Sequence, residues 1–170
     1  MLPENRQKKR AEIIRQMEID DVSAVYHLGE KLFTSEELPI LYRTWEAHEV
    51  TDYFSSDSEY CLVAEVEGEI AGFVLANTIV KEGTAWKRYG YLAWIGVDES
   101  YQRTGLGERL YRKLEDKFQE EGVRMIICDT EASNKGAIIF FERLGFSNRT
   151  DHIWLAKNLG RAAKKTGKQD

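Results

Sequence analysis

The loop Gln102-Arg103-Thr104-Gly105-Leu106-Gly107 stands between an apolar strand, predicted over 88–97, and an amphipathic helix, predicted over 105–121. The helix prediction rests on apolar residues that recur at spacings of three and four, namely Leu106, Leu110, Tyr111, Leu114 and Phe118. The first N–H groups of such a helix have no intrahelical acceptor, and the helix dipole adds partial positive charge there. Together with the cation of Arg103, they predict a site for a phosphate or pyrophosphate group.

The glycine spacing alone leaves other interpretations open. An ordinary strand, turn and helix also accommodates Gly105-x-Gly107. The dinucleotide fingerprint requires a third glycine where Leu110 stands, and a P-loop requires a following Gly-Lys-Ser/Thr that is absent from the sequence. A nucleotide-binding module that uses the same phosphate loop remains one alternative.

Composition predicts a single soluble globular domain. The chain has 170 residues, of which 42% are hydrophobic and 31% charged, a balance that allows a proper core. It has no apolar run of about 18 residues, so no membrane span is expected, and its polar N-terminus is unlike a signal peptide. Cys61 and Cys128 lie in apolar runs, which predicts reduced thiols and a cytoplasmic protein.

Charge is distributed unevenly along the chain. The net charge is −5, but residues 1–10 and 159–170 each carry +3, which leaves −11 on residues 11–158. An acidic body argues against nucleic acid as a ligand and suits a cationic substrate such as an amine. The two basic ends are predicted to be disordered tails around one domain over 11–158.

The periodicities predict the element order β-α-α-β-β-β-α-β-α-β-β, which is an α/β fold with a mixed sheet of six to seven strands and helices on both faces. Glu67-Gly68 predicts a tight hairpin between strands at 59–66 and 69–78. The run at 123–130 is apolar on both faces, as expected of a buried central strand. A helix at 134–144 ends at Gly145, and a final hairpin is predicted over 146–149 and 153–158.

Two linked motifs resemble the GCN5-related N-acetyltransferase (GNAT) family, nearest to its ribosomal-protein and protein N-terminal acetyltransferase branch. The first is Gln102-Arg103-x-Gly105-x-Gly107, preceded by Ile95-Gly96-Val97-Asp98. The second is Asn134-x-x-Ala137 followed by Phe141-x-x-x-Gly145-Phe146. The resemblance covers residues 11–158 and is strongest over 90–146. It implies the GNAT-like acyl-CoA N-acyltransferase fold, in which the fourth and fifth strands splay apart and acetyl-CoA enters the gap.

The resemblance also implies which residues bind acetyl-CoA. Backbone N–H groups at a strand bulge near Ile95, Gly96 and Val97 would polarise the acetyl carbonyl. The remaining residues implied to bind the cofactor are Gln102, Arg103, Thr104, Gly105, Leu106, Gly107, Glu108, Asn134 and Phe141. Asn134 is equally suited to capping the helix that follows it.

Asp129 is the expected general base, because it follows the buried strand at the end where open α/β sheets place their ligand chemistry. A carboxylate that caps a turn or pairs with a basic residue is the competing interpretation, and Glu131, Tyr89 and Tyr91 are reserves. Phe141 departs from the family, in which many members carry a tyrosine that protonates the departing thiolate. Phenylalanine has no such proton to give.

The acceptor site is predicted from residues expected to flank it: Phe33, Glu36, Tyr42 and Tyr91. The three histidines, His27, His48 and His152, show no metal-ligand spacing, so no metal is expected. The family often dimerises, and the sequence leaves a homodimer open.

These observations predict direct transfer of an acetyl group from acetyl-CoA to a primary amine, with a protein or peptide N-terminus favoured. A small-molecule amine is one alternative acceptor. A CoA-binding domain without catalysis, which Phe141 would favour, is another reading of the same motifs.

Overall fold

The computed structural model describes residues 11–33, 44–153, 155 and 157, and the chain divides into two compact units, Met1–Asp129 and Thr130–Asp170. The first unit contains the strands β1 (Glu12–Gln16), β2 (Leu62–Val66), β3 (Glu69–Val80), β4 (Arg88–Val97) and β5 (Ile126–Cys128). Its helices are α1 (Val22–Phe33), α2 (Ala47–Asp57) and α3 (Leu106–Glu120). The second unit contains α4 (Lys135–Arg143).

The five strands form one mixed sheet in the order β1-β2-β3-β4-β5. The first three pairings are antiparallel, and β4 pairs with β5 in parallel. Glu67 and Gly68 form the predicted hairpin between β2 and β3, with φ angles of 54° and 90°. Positive φ at both central residues is typical of the type I′ turn, whose twist matches that of the flanking strands. The predicted α/β class, mixed sheet and order of elements from β1 to α4 are confirmed.

Helices cover both faces of this sheet. Val63 and Phe73 belong to the core cluster that contains Leu28 of α1 and Val50 of α2. On the opposite face, a Cβ placed on Gly90 would meet the Phe118 ring of α3 at 2.8 Å. Because side chains alternate between faces along a strand, the continuous burial of the middle strands follows from having a helical layer on each side.

Near the start of the chain, an ion pair joins β1 to the turn before α1. The Arg15 guanidinium donates two hydrogen bonds to Asp21, at 2.6 and 2.9 Å, and contacts Glu65 at 3.1 Å. Asp21 is 9% exposed and also accepts a hydrogen bond from the Glu18 N–H at 2.8 Å. The hydrogen bonds from Arg15 are the largest cause that lowers the pKa of the Asp21 carboxyl.

Two sequence predictions about the sheet are wrong. The described residues form five strands rather than six or seven. Residues 147–151, within the predicted final hairpin, are exposed and polar and form no ladder, and the second strand of that hairpin lies partly outside the described residues. Within the described sheet, β5 is an edge strand rather than a central one, and Ile127 is 40% exposed. The helix predicted over 41–54 begins at Ala47 among the described residues, and 41–43 lie outside them. Both predicted tails also lie outside the described residues.

Candidate active site

β4 and β5 separate soon after they pair. Their parallel register joins Gly90 to Ile126 and ends where Leu92 meets Cys128. Beyond that point β4 continues to Val97, still paired with β3 on its other side. The edge of β4 from Ala93 to Val97 therefore has no strand partner from β5, as the resemblance to acetyltransferases implies.

A β-bulge lies where the two strands part. The β3–β4 register skips one residue, since Leu75 pairs with Trp94 and Ala76 pairs with Leu92, which leaves Ala93 as the extra residue. The bulge was expected near Gly96, and that expectation is wrong because Gly96 pairs regularly with Phe73. Gly96 is needed for packing instead, since a Cβ there would lie 2.8 Å from Leu32 of α1.

Backbone groups of β4 face the open edge. The N–H of Asp98 donates to the Ala71 carbonyl of β3 at 2.9 Å, so the strand alternation directs the backbone groups of Ile95 and Val97 away from β3. The Val97 carbonyl accepts a hydrogen bond from Gln102 Nε2 at 3.2 Å. The N–H groups of Ile95 and Val97 are thus placed to bind a ligand that lies along β4.

The loop from Gln102 to Gly105 leads into a helix terminus that has no side-chain cap. Gly105 is the N-cap residue of α3, with φ of 83°, and the first helical hydrogen bond runs from the Arg109 N–H to the Gly105 carbonyl. The N–H groups from Gly105 to Glu108 therefore precede the intrahelical ladder. Leu106 is 1% exposed, so its side chain anchors the helix and only its backbone could contact a ligand.

This terminus can bind an anion at close range. Arg103, with φ of 61°, and Gly105 both adopt left-handed backbone conformations, which turns the loop tightly around the start of α3. A Cβ on Gly105 would lie 3.0 Å from Arg109 Nη1. The side chains of Gln102, Arg103 and Thr104 are exposed beside the terminus. Uncapped N–H groups, the helix dipole and one cation fit a pyrophosphate.

Sequence reasoning missed Arg109, which holds this loop. Its guanidinium forms a two-bond ion pair with Glu12 of β1, with both distances 2.7 Å, and donates to the Thr104 carbonyl at 3.1 Å. The only sequence signal was a basic residue four positions after Gly105, where the helix was predicted to begin. Nothing local in the sequence pairs that residue with Glu12.

Asp129 and Tyr91 meet beside the bulge. The Tyr91 hydroxyl donates a hydrogen bond to Asp129 Oδ1 at 2.8 Å. Asp129 directly follows β5 and is exposed, while Tyr91 is half-buried on the face of β4 that carries α1 and α2. The predicted base and one predicted acceptor residue are thus brought together, and a carboxylate held in this way can accept a proton from an arriving amine.

Aromatic residues line the same face of the sheet. The Phe33 ring lies 4.9 Å from the Trp94 ring and 5.4 Å from the Trp45 ring, measured between centroids. Trp94 Nε1 donates to Glu49 Oε2 of α2 at 2.9 Å, and sequence reasoning did not identify that carboxylate. Phe33 therefore contributes mainly to the core cluster. The predicted acceptor residues Glu36 and Tyr42 lie outside the described residues.

Of the reserve bases, Tyr89 is half-buried on β4, opposite Ile79 of β3. Glu131, in the second unit, accepts a hydrogen bond from the Ser133 hydroxyl at 3.3 Å. Asp129 stays the predicted base, since it is the carboxylate that directly follows β5.

In the second unit, Asn134 caps α4. Its Oδ1 accepts a hydrogen bond from the Ala137 N–H at 3.1 Å, so the capping interpretation is confirmed. Gly145, with φ of 100°, follows the last turn of α4, as predicted. Phe141 is 8% exposed, and its ring packs edge-on against Phe146 at 5.3 Å.

Across residues 11–33 and 44–153, no three histidine, cysteine, aspartate or glutamate side chains gather as metal ligands would. Over that same part of the chain, every helix is too short or too polar to cross a membrane.

Comparison with known proteins identifies relatives of this chain. The [ribosomal protein bS18]-alanine N-acetyltransferase of Escherichia coli K12 is 28% identical over 137 residues, which cover 81% of this chain and 82% of that protein. The crystal structure of the Escherichia coli enzyme is similar to this one with a TM-score of 0.64 and 26% identity, and the match covers 82% of this chain and 80% of that chain. N-alpha-acetyltransferase 30 of Schizosaccharomyces pombe is 31% identical over 88 residues, which cover 52% of this chain and 57% of that protein.

The fold is shared more widely. The aminoglycoside N-acetyltransferase AAC(6′)-Iy, solved in complex with CoA, has a TM-score of 0.70 and 19% identity, with 89% of this chain and 97% of that chain covered. At that identity the likeness shows the fold alone. The model of the acetyltransferase (GNAT) family matches residues 24–146. The chain therefore belongs to the GNAT family of acetyltransferases, as its two motifs predicted.

Proposed function

We propose that this enzyme transfers an acetyl group from acetyl-CoA directly to the N-terminal amine of a protein. The observation that carries the proposal is the pair Tyr91–Asp129, which stands beside the open edge of β4 at the end of β5. A proton acceptor at that position is what an incoming ammonium group requires before its nitrogen can attack a thioester.

Acetyl-CoA would lie along β4 and end at α3. The N–H groups of Ile95 and Val97 would contact the acyl end and polarise its carbonyl, in the manner of an oxyanion hole. The backbone from Gly105 to Glu108 would bind the pyrophosphate, with Gln102, Arg103 and Thr104 beside it. The lack of a side-chain cap on α3 and the limited space beside Gly105 support this fit.

The chemical step needs one base and one good leaving group. The Asp129 carboxylate takes a proton from the ammonium group, directly or through one water. The nitrogen lone pair then forms the C–N bond, and the C–S bond breaks with its electron pair remaining on sulfur. The attacking nitrogen loses its second proton to the departing thiolate or to water, which leaves a neutral amide. Because a thiol has a pKa of about 8.5, the CoA thiolate can leave without a proton donor, which fits the presence of Phe141.

The acceptor proposal is supported by the relatives that match over most of this chain. One is named as an alanine N-acetyltransferase of ribosomal protein bS18, and another is named as an N-alpha-acetyltransferase. Residues 11–158 carry a formal charge of −11, which would favour the approach of a cationic N-terminus. The described free cysteines, Cys61 and Cys128, support a cytoplasmic location.

The test uses two peptides of the same length with acetyl-CoA. One begins with a free alanine amine, and the other is blocked at that amine but contains an internal lysine. We expect thiol release with the first peptide only, and mass spectrometry should locate the acetyl group on the α-amine. Faster turnover of a polyamine or an aminoglycoside would contradict the acceptor, whereas CoA binding without turnover of any amine would contradict catalysis.

A further inference from the structure

The bridge formed by Arg109 connects three parts of the first unit. Nε and Nη2 of Arg109 each donate to one oxygen of the Glu12 carboxylate at 2.7 Å, and Nη1 donates to the Thr104 carbonyl at 3.1 Å. Glu12 lies on β1, which is fixed by its pairing with β2. The guanidinium therefore ties the loop before α3 to the sheet, over a separation of 97 positions in the chain.

The bond to Thr104 has a directional consequence for Gly105. The Thr104 carbonyl and the Gly105 N–H belong to one peptide group, and the described peptide bonds are all trans. In a planar trans peptide the C=O and N–H point in opposite directions. When Arg109 holds the carbonyl, the Gly105 N–H is fixed so that it points away from the guanidinium, at the start of the uncapped helix terminus.

The loop needs such a restraint. Arg103 and Gly105 both have positive φ, at 61° and 83°, and Arg103 lacks the conformational freedom of glycine. A non-glycine residue keeps a positive φ when the contacts around it hold the backbone in that conformation. The Thr104 hydroxyl contributes a second restraint, because it donates to the Tyr101 carbonyl at 2.6 Å.

We propose that Arg109 is a positioning residue for the CoA pyrophosphate and that Glu12 is its anchor. Arg109 acts through the Thr104–Gly105 peptide group, which it holds in the orientation that presents N–H groups to the phosphates. The inference rests on the proposed function, since it assigns these residues to the CoA site of the same enzyme.

A direct electrostatic role for Arg109 predicts a different result. If the guanidinium served only as a nearby positive charge, replacing Glu12 by glutamine would remove a competing negative charge and strengthen CoA binding. If Arg109 positions the loop, Glu12→Gln weakens the anchor and weakens CoA binding. The two roles therefore predict changes of opposite sign from one isosteric substitution.

The experiment measures the dissociation constant for CoA by calorimetry, and kcat and KM with acetyl-CoA and the alanine peptide. We expect Glu12→Gln and Arg109→Lys to raise the CoA dissociation constant about threefold to tenfold, the effect of losing one hydrogen bond of ordinary net strength at this exposed position. Lysine keeps the charge but cannot donate in a fork to both partners. The KM for acetyl-CoA should rise in parallel, while kcat at saturating acetyl-CoA should stay near that of the wild type.

Arg112→Ala is the matched control, because Arg112 is an exposed arginine on the same helix that pairs with Glu115 at 2.9 Å. It should bind CoA as the wild type does, and all variants should melt as folded proteins. Unchanged or tighter CoA binding in Glu12→Gln, or full affinity in Arg109→Lys, would overturn the positioning role alone. A wild-type protein that fails to bind CoA would overturn the proposed function.

Discussion

The Tyr91 hydroxyl donates a hydrogen bond to Asp129 at 2.8 Å, across the point where β4 and β5 separate and over 38 positions of sequence. This contact holds one carboxylate oxygen of the proposed base, so that a residue of β4 sets the orientation of the Asp129 side chain. It also joins a residue expected to line the acceptor site to the residue expected to take the proton.

Removing the base should reduce the rate and preserve the cofactor site. We expect Asp129→Asn to lower kcat about 100-fold, within the range for loss of a general base, and to leave the CoA dissociation constant nearly unchanged. Steady-state kinetics and calorimetry provide the two measurements. A loss of CoA affinity or of folding would instead make Asp129 a structural residue.

The hydroxyl of Tyr91 should matter only through Asp129. Tyr91→Phe is expected to lower kcat about threefold to tenfold, since it removes one hydrogen bond to the base. In a double-mutant cycle, Tyr91→Phe should have little further effect once Asp129 is asparagine, because the two residues act as one unit. Additive effects would show that Tyr91 has an independent role, such as binding the acceptor.

A side chain at Gly105 should impair CoA binding more than it impairs folding. Gly105→Ala introduces a Cβ at a φ of 83° and 3.0 Å from Arg109 Nη1, so we expect the CoA dissociation constant to rise about tenfold. Gly83 is the control, because its φ is 82° and nothing lies within 4 Å of its Cβ position. Gly83→Ala should lower stability by a similar amount, about 1 kcal/mol, and leave CoA binding unchanged.

The buried ion pair at Asp21 should make stability depend on pH. Its folded-state pKa lies below the usual 3.8, so the stabilisation is present above that value and is lost as pH falls through the folded-state pKa. We expect Asp21→Asn to lower the unfolding free energy at pH 7 by about 2 kcal/mol, because it removes the closer of the two carboxylates that pair with Arg15 and leaves only Glu65. Urea denaturation should show this difference shrinking below about pH 4.

The control for that experiment is Asp116→Asn, since Asp116 is an exposed carboxylate on α3. It should change the unfolding free energy by less than about 0.5 kcal/mol at either pH. A difference between wild type and Asp21→Asn that stays constant from pH 7 to pH 3 would contradict the ion-pair explanation.

Local signals in the sequence predicted much of the fold. The turn at Glu67-Gly68 specified its hairpin, because positive φ angles are needed there. The apolar spacing of α3 predicted that helix to within one residue at each end, since all five apolar residues of that pattern are buried. Signals of this kind depend on neighbours within a few positions.

The errors and omissions in the candidate site have another origin. The resemblance placed the bulge near Ile95 to Val97, whereas the extra residue is Ala93, which has no bulge signature of its own. The glycine at 96 serves the packing of Leu32 instead. The bond between Glu12 and Arg109 spans 97 positions, so it depends on tertiary placement alone. Residues 147–151 of the predicted final hairpin are exposed and form no ladder, and its second strand lies partly outside the described residues.

The extra residue at Ala93 changes the phase of β4. Ala93 and Trp94 are consecutive and yet both belong to the core cluster on the face of α1 and α2. Odd-numbered side chains face that layer before the bulge, and even-numbered ones face it afterwards. Deleting Ala93 would remove the bulge and restore regular alternation, so the Trp94 indole would keep its face and the N–H groups of Ile95 and Val97 would stay at the open edge. The core would then lose one of its two consecutive inward side chains, and β4 would lose the local bend that the bulge provides. The connection between β3 and β4, where the chain is exposed from Lys81 to Lys87, can instead change in length without altering either the bulge or the core.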